Sequence, residues 1–132
     1  MVVDSSALVD YLIGSSERAA WVEERFDSCA WKLRAPHLLD VEVLGALRRL
    51  VGRGVVAPAY GRRALEIQVA LPIARYSHVH LLDRMWQLRP YVTAGDAAYV
   101  ALAEALDEPL VTTDGRLGRA HGLGIPVHSF AP

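Results

Sequence analysis

Short apolar runs alternate along the chain with longer segments that carry apolar residues at helical spacing, and glycine, proline or polar clusters separate them. This alternation predicts a parallel sheet with helices covering both faces, the α/β class in a three-layer α/β/α arrangement. The predicted strands are Met1–Asp4, Trp31–Ala35, Ile73–Ser77, Pro109–Thr113 and Ile125–His128. The predicted helices are Ser5–Ile13 (closed by Gly14), Ser15–Cys29, Leu38–Val51, Ala59–Leu71, His80–Leu88, Thr93–Leu106 and Arg116–His121.

Length and composition limit the classes of protein that this chain can be. Its 132 residues fit one domain, 1–132, that needs no disulfide or structural metal to fold. Cys29 is the single cysteine, which excludes a disulfide framework or a cysteine-based zinc cluster and suits a reducing compartment. No signal peptide or membrane-spanning run is visible, so we expect a cytoplasmic protein. The net charge of −1 excludes a globally basic nucleic-acid coat, but it allows a local cationic groove.

Two aspartates follow predicted strands, Asp4 after the first and Asp114 after Leu110–Thr113. In open parallel sheets, ligands bind beyond the carboxyl ends of the strands, where both side chains would lie. Each residue also has an ordinary structural interpretation, because Asp4 could cap a helix and Asp-Gly is a common turn.

Two further acids stand out on predicted helices. The neighbours of Glu42 three and four positions away are Leu38, Leu39, Gly45 and Ala46, so its carboxylate lies on an apolar or small face. Asp40 lies about 200° around the same helix and should point away. Asp96 has Val92, Tyr99 and Val100 around it, although Thr93-x-x-Asp96 is also typical of a capping box.

Four carboxylates that converge at one sheet edge would repel one another unless a cation lay between them. Two unit charges 4 Å apart repel by about 4 kcal/mol at an effective dielectric near 20. Ligands that are all oxygen favour Mg²⁺ or Mn²⁺ over zinc, and such sites use metal-held water to attack phosphodiesters. Strand alternation places the Thr112 hydroxyl on the same side as Asp114, although a β-branched residue is also ordinary in a strand.

Other catalytic motifs are absent from the sequence. It contains no phosphate-binding glycine loop, no nucleophile elbow and no Cys/His pairing, and His78 and His80 lack a third metal ligand. A phosphoacceptor receiver domain has a similar size, but it needs paired acids after the first strand and a lysine after a late one. Here serines follow Asp4, and the single lysine is Lys32.

The four acidic segments, in this order, resemble the PIN-domain family and, within it, the VapC-type toxins of prokaryotic toxin–antitoxin systems. The first segment, Val2–Leu8, resembles the family's opening strand, and Asp40–Arg49 resembles the helix that carries its glutamate. Ala94–Glu104 followed by Leu110–Asp114 matches the third and fourth acidic motifs, and this last pair is the most specific. Ser5 in place of threonine and Gly95 in place of a bulkier residue are mild departures.

This resemblance implies a Mg²⁺- or Mn²⁺-dependent endoribonuclease. The implied catalytic and metal-binding residues are Asp4, Glu42, Asp96 and Asp114, with Ser6 and Thr112 in support. It also implies a cognate antitoxin of the VapB type and a homodimer. From the residues themselves, we add Arg116 and Arg119 as candidate RNA contacts beside Asp114, and Arg48, Arg49 and Arg53 beyond Glu42, because arginine suits bidentate phosphate binding.

A second hypothesis is a PIN-like module that binds RNA or a protein partner without cutting. The presence of all four acids argues against a degenerate site, but turnover cannot be derived from the sequence.

Overall fold

The computed structural model describes residues 1–14 and 16–131. Its strands are β1 (Val2–Val3), β2 (Leu33–Pro36), β3 (Ile73–Tyr76), β4 (Leu110–Thr112) and β5 (Val127–Ser129). Its α-helices are α1 (Ser5–Ile13), α2 (Glu17–Ser28), α3 (Leu38–Gly52), α4 (Pro58–Ala70), α5 (Leu82–Gln87), α6 (Ala94–Leu106) and α7 (Gly115–Gly118), and a 3₁₀ turn at Val79–Leu81 precedes α5.

The five strands form one parallel sheet in the order β3-β2-β1-β4-β5. The chain first builds outward from β1 to β2 and β3, and then crosses back to place β4 on the other side of β1. The order therefore reverses between β1 and β4. In open α/β sheets the crevice at such a reversal, beyond the carboxyl ends of the strands, is the usual ligand site.

The helices form two groups around this sheet, which confirms the predicted three-layer α/β/α class. Helix α1 packs against α2, α3 and α4, whereas α5 packs on α6, which itself contacts β1, β2 and β4. Every residue of β1 is buried, as is most of α6 from Ala97 to Ala103. Burial on both faces explains why β1 is apolar throughout, and why Leu110 and Val111 of β4 are both apolar, instead of alternating with polar residues.

The predicted elements are all present, but several boundaries differ. Strand β2 begins at Leu33 instead of Trp31, because Ala30 and Trp31 have left-handed backbone conformations (φ 51° and 58°) that continue the turn after α2. Helix α7 ends at Gly118, not at His121. Helix α1 is preceded by Asp4 at its N-cap instead of the predicted serines. The predicted start of α2 at Ser15 lies outside the described residues, and Ser16 caps that helix by accepting from the N–H of Ala19 at 3.2 Å.

Asp40 points away from Glu42, as the helical spacing predicts, and it connects three elements. Its carboxylate accepts two hydrogen bonds from the Arg75 guanidinium of β3, at 2.7 and 2.9 Å, and one from the Gln68 amide of α4 at 2.6 Å. The hydrogen bonds from Arg75 hold the pKa of Asp40 below its usual range despite partial burial. This acid therefore stabilises the fold on the side away from the sheet's crevice.

Among the described residues, no helix combines the length and apolar character needed to cross a bilayer.

We expect Gly118→Ala to destabilise the fold, because α7 lies tightly against β5. A Cβ at Gly118 would lie 2.5 Å from the Ser129 Cβ and closer still to its Oγ. Overpacking of this kind costs about 1–3 kcal/mol, which should lower the Tm by several degrees. Gly52→Ala is the matched control, since no atom lies within 4 Å of its added Cβ, and its Tm should stay level or rise. Equal thermal melts for the two variants would contradict this packing.

Candidate active site

The site is built around Asp4, which directly follows β1 where the strand order reverses. Its residue is only 3% exposed, and two hydroxyl groups donate hydrogen bonds to one carboxylate oxygen, Oδ2. Ser6 donates at 2.5 Å and Thr112 at 2.8 Å. Burial raises the pKa of Asp4 and outweighs these two hydrogen bonds, which lower it. Asp4 is thus a carboxylate held in a fixed orientation in a poorly solvated position.

The same two hydroxyls join the end of β4 to the start of α1. Ser6 Oγ accepts from the N–H of Thr113 at 3.1 Å, and Thr112 Oγ1 accepts from the N–H of Asp114 at 3.0 Å. Each hydroxyl therefore donates to Asp4 and accepts from the backbone that leads to Asp114. This arrangement fixes the two strand-end acids relative to each other.

Asp114 caps the short helix α7, as the Asp-Gly turn allows. Its Oδ1 accepts from the N–H of Arg116 at 2.8 Å, and its Oδ2 accepts from the Arg116 guanidinium at 3.2 Å. Burial would raise the pKa of Asp114, but the hydrogen bonds and charge of Arg116 outweigh it and lower the pKa. The contact with Arg116 therefore favours the ionised form of Asp114.

Asp96 lies in the first turn of α6 and faces the other acids. Its N–H donates to Thr93 Oγ1 at 3.3 Å, which is one half of the predicted capping box. Burial raises the pKa of its carboxyl, and the charges of Asp4, Asp114 and Glu42 raise it further. The structural interpretation of Asp96 as part of a helix cap and its interpretation as a site acid are therefore compatible. Its backbone N–H takes part in the cap, while its carboxyl group is affected by the charges of the other three acids.

Glu42 reaches the site from α3 and is held by α6. Tyr99, which is fully buried, donates its hydroxyl to Glu42 Oε1 at 2.5 Å. Burial and the neighbouring carboxylate raise the pKa of this phenol far above its usual range, so the hydroxyl stays a donor. A Cβ at Gly95 would lie 3.2 Å from Glu42 Oε2, which explains why a small residue suits this position.

Two residues of this site were not found by sequence reasoning. The first is Tyr99, which the sequence places only among the neighbours of Asp96. A tyrosine on a buried, alanine-rich helix face indicates a hydroxyl that requires a hydrogen-bond partner, so this pattern could have revealed it. Arg18 is the second. With Arg49 it contributes positive charge to a groove of about 630 Å³ that also includes Glu42 and Asp114.

The predicted arginines lie at different distances from the acids. Arg116 contacts Asp114 directly and has a largely exposed side chain, whereas Arg119 folds back toward Gly115. Of the three arginines proposed beyond Glu42, Arg49 is in the groove lining.

Glu42 and Asp114 line one groove and Asp96 lines a neighbouring hollow, so the four acids do not close on a common point. Within residues 1–14 and 16–131, no three His, Cys, Asp or Glu side chains stand close enough together to hold a metal ion as they are placed. Direct contacts nevertheless join them in pairs, because Ser6 and Thr112 link Asp4 to the backbone at Asp114, and Gly95, which precedes Asp96, lies against Glu42. A set of oxygen donors alone fits Mg²⁺ or Mn²⁺ by its chemistry, with rotation of side chains needed to complete the ligand shell.

Comparison with known proteins gives related chains of similar length. Ribonuclease VapC1 of Mycobacterium tuberculosis is 45% identical over 123 residues, covering 92% of this chain and 91% of the relative. Ribonuclease VapC9 of the same species is 42% identical over 117 residues, covering 89% and 87%.

Solved structures share the fold at low sequence identity. VapC20 of M. tuberculosis, described as a toxin that cleaves the sarcin-ricin loop, superposes with a TM-score of 0.70 at 14% identity, covering 92% of this chain and 95% of that one. VapBC2 of Rickettsia felis, bound to a promoter DNA fragment, gives 0.71 at 10% identity and covers 98% of each chain. The PIN domain family model matches residues 1–123, and together with the ribonuclease relatives it shows that this chain belongs to the PIN-domain family.

Proposed function

We propose that this protein is a divalent-metal-dependent endoribonuclease and the toxin of a type II toxin–antitoxin module. The observation that carries the proposal is the buried Asp4 at the reversal of strand order, whose two hydroxyl partners, Ser6 and Thr112, also accept from the backbone that leads to Asp114. Glu42 and Asp96 are the further acids proposed to act with this pair. The ribonuclease names of the relatives with 38–45% identity support the RNA-cleaving chemistry.

The four acids would hold Mg²⁺ or Mn²⁺ through their carboxylate oxygens. The bound cation would neutralise their repulsion, offset charge on the phosphate and make water nucleophilic near neutral pH. Asp4 provides the fixed anchor, because Ser6 and Thr112 restrain its carboxylate. Tyr99 orients Glu42, and its buried phenol cannot take part as a base because it keeps its proton.

RNA would reach the acids along the groove beside them. Arg18 and Arg49 in its lining supply positive charge for phosphate groups, in a chain whose net charge is close to zero. Arg116 is placed to exchange its contact with Asp114 for one with phosphate when a cation takes over that carboxylate. Arg119, which folds back toward Gly115, would contact RNA only after reorienting.

We further propose a small VapB-type antitoxin as the protein partner. Two of the structures that share this fold are VapBC complexes, from Rickettsia felis and Salmonella typhimurium. The groove that includes Glu42 and Asp114 is also lined by Val41 of α3, which is 67% exposed and offers an apolar contact for such a partner. The expected homodimer stays a prediction.

The non-cleaving module is the second candidate function. Incubation of the purified protein with structured RNA in Mg²⁺, in Mn²⁺ and in EDTA tests both functions directly. Cleavage that requires the cation supports the nuclease. RNA binding without cleavage in either metal would overturn the nuclease and support the non-cleaving module.

We expect Asp4→Asn, Glu42→Gln and Asp96→Asn each to reduce cleavage to the level seen in EDTA, because each removes a carboxylate proposed to hold the cation. Initial rates on a fixed RNA, with circular dichroism to verify folding, measure this loss. Asp83→Asn and Glu66→Gln are matched controls on exposed positions outside the crevice and should cleave like the wild type. A wild-type cleavage rate in a folded Asp96→Asn variant would show that Asp96 does not hold the cation and serves only at the start of α6.

We expect Asp96→Asn to raise the Tm in EDTA and to reduce the stabilisation by Mg²⁺. The raised pKa means that the native carboxyl keeps its proton to higher pH than the unfolded chain does, so its ionisation destabilises the metal-free fold as the pH rises. The gain in Tm should therefore grow as the pH is raised from about 4 towards neutrality.

Thermal melts with and without Mg²⁺ measure both effects. If Asp96 acted only as a favourable acid at the helix N-terminus, its loss would instead cost about 0.3–1 kcal/mol and lower the Tm in EDTA. A lower Tm, together with an undiminished gain from Mg²⁺, would therefore remove Asp96 from the proposed site.

We expect Tyr99→Phe to weaken catalysis while leaving the fold intact. The change removes the donor that holds Glu42 Oε1, and loss of a partner that orients a metal ligand typically costs about 10–100-fold in metal affinity or activity. The Mg²⁺ concentration for half-maximal cleavage should therefore rise, or kcat should fall, with little change in KM for RNA. An unchanged Mg²⁺ dependence and kcat would show that Tyr99 serves packing alone.

A further inference from the structure

A second hollow lies beside the proposed catalytic crevice and shares no residue with the groove described above. Its lining includes Asp96 and Thr93 at the start of α6, Arg116 after β4, and Arg89 and Tyr91 in the loop before α6. The hydrogen bond between Arg116 and Asp114 connects this hollow to the main groove. A chain that passes the four acids can therefore continue into it.

An exposed aromatic residue, Trp86, lies in a neighbouring recess that shares Arg89 and Val92 with this hollow. Arg89 places its guanidinium carbon 4.4 Å from the centroid of the Trp86 ring and donates to the Trp86 carbonyl oxygen at 2.9 Å. Trp86 is 68% exposed, which is unusual for so large an apolar residue. Arg89 also lines a small apolar recess of about 240 Å³ beneath Trp86, together with Leu82, Met85 and Val92.

Tyr91 provides a second aromatic surface, and it lines the hollow itself. Its residue is 54% exposed, and one side of its ring rests against Gly122, where a Cβ would come within 3.2–3.4 Å of the ring carbons. Gly122 has a left-handed backbone (φ 76°), so both the close approach and the backbone favour glycine there. The ring of Tyr91 is thus supported from behind and open in front.

Aromatic rings interleaved with arginines, next to a phosphodiester-cleaving site, match the chemistry of single-stranded RNA. Bases stack on aromatic side chains and on guanidinium planes, while arginines bind the phosphates between them. A purely apolar protein segment would offer no negative charge to Arg89, whereas Arg116 is already paired with Asp114. Continuity with Asp96 and the two cations therefore favour RNA over a protein partner or a second copy of this chain.

We propose that Trp86, Arg89 and Tyr91 form a base-binding subsite for nucleotides that flank the cleaved phosphodiester. The proposal rests on the proposed ribonuclease function and adds to it a determinant of which RNA conformations bind. Unstacked, single-stranded nucleotides can occupy such a subsite, whereas paired bases cannot present their faces to the rings.

The subsite is tested by the binding of a labelled oligoribonucleotide that the wild type cleaves. Binding is measured by fluorescence anisotropy in Mg²⁺, and every protein tested carries Glu42→Gln to prevent cleavage. Added to this background, Trp86→Leu keeps an apolar side chain but removes the aromatic face, and it should weaken binding at least about fivefold. Trp86→Phe keeps a stacking face and should stay within about twofold. Replacing the flanking nucleotides by abasic ones should abolish the difference between Leu and Phe.

The charge of Arg89 is tested separately by the salt dependence of binding. Arg89→Ala should reduce the slope of log Kd against log salt by about 0.7, the value for one lost phosphate contact on a single strand. Arg62→Ala, which removes an exposed arginine on α4, is the matched control and should leave the slope unchanged.

The outcomes separate the two proposals. Equal RNA affinity for Trp86→Leu, Trp86→Phe and the parent, in a protein whose wild type cleaves RNA, would overturn the subsite alone. A Trp86→Leu variant that binds RNA normally but changes the sedimentation coefficient would assign this surface to contacts between copies and also overturn it. A wild type that neither binds nor cleaves RNA in Mg²⁺ or Mn²⁺ would overturn the proposed function and the subsite with it.

Discussion

The burial of one ionisable carboxyl group, that of Asp4, is the constraint on which the rest of the site depends. A buried carboxylate without partners is costly, and here the partners are two hydroxyls from different ends of the chain, Ser6 and Thr112. Thr112 can reach Asp4 only because β4 pairs with β1 instead of extending the sheet beyond β3. The reversal of strand order thus provides both a crevice and the donors that allow an acid to be buried in it.

The environments of the other acids differ in a way that has consequences for stability. Arg116 lowers the pKa of Asp114, whereas burial and three like charges raise that of Asp96. A fold selected only for stability would replace an acid like Asp96 with a neutral residue, because its ionisation near neutral pH opposes folding. The presence of Asp96 is understandable if a bound cation compensates the repulsion between the carboxylates. The loss of folding stability would then be confined to the metal-free state.

Sequence reasoning succeeded where a local pattern carries the information. The structure has Asp4 and Asp114 directly after or near the ends of β1 and β4, and Glu42 on α3, as the patterns predict, while their roles stay predictions. The hydrogen bond from Tyr99 to Glu42 joins residues 57 positions apart, so only the packing of α6 against α3 could reveal it. Arg18 was missed for the same reason. The late start of β2 depends on two left-handed residues, Ala30 and Trp31, which are not types that normally adopt that conformation.

The contacts divide the four acids into two pairs with different supports. Asp4 and Asp114 belong to the sheet, because the hydroxyls of Ser6 and Thr112 tie both to the ends of β1 and β4. Asp96 lies on α6, and Glu42 extends from α3 to the same helix, where its two oxygens lie beside Tyr99 and Gly95. Within each pair the spacing is fixed by short contacts. The spacing between the pairs depends on how α6 packs on β1, β2 and β4. The buried alanines of α6 let this helix approach the sheet closely. They therefore also influence how closely the acids can approach a cation.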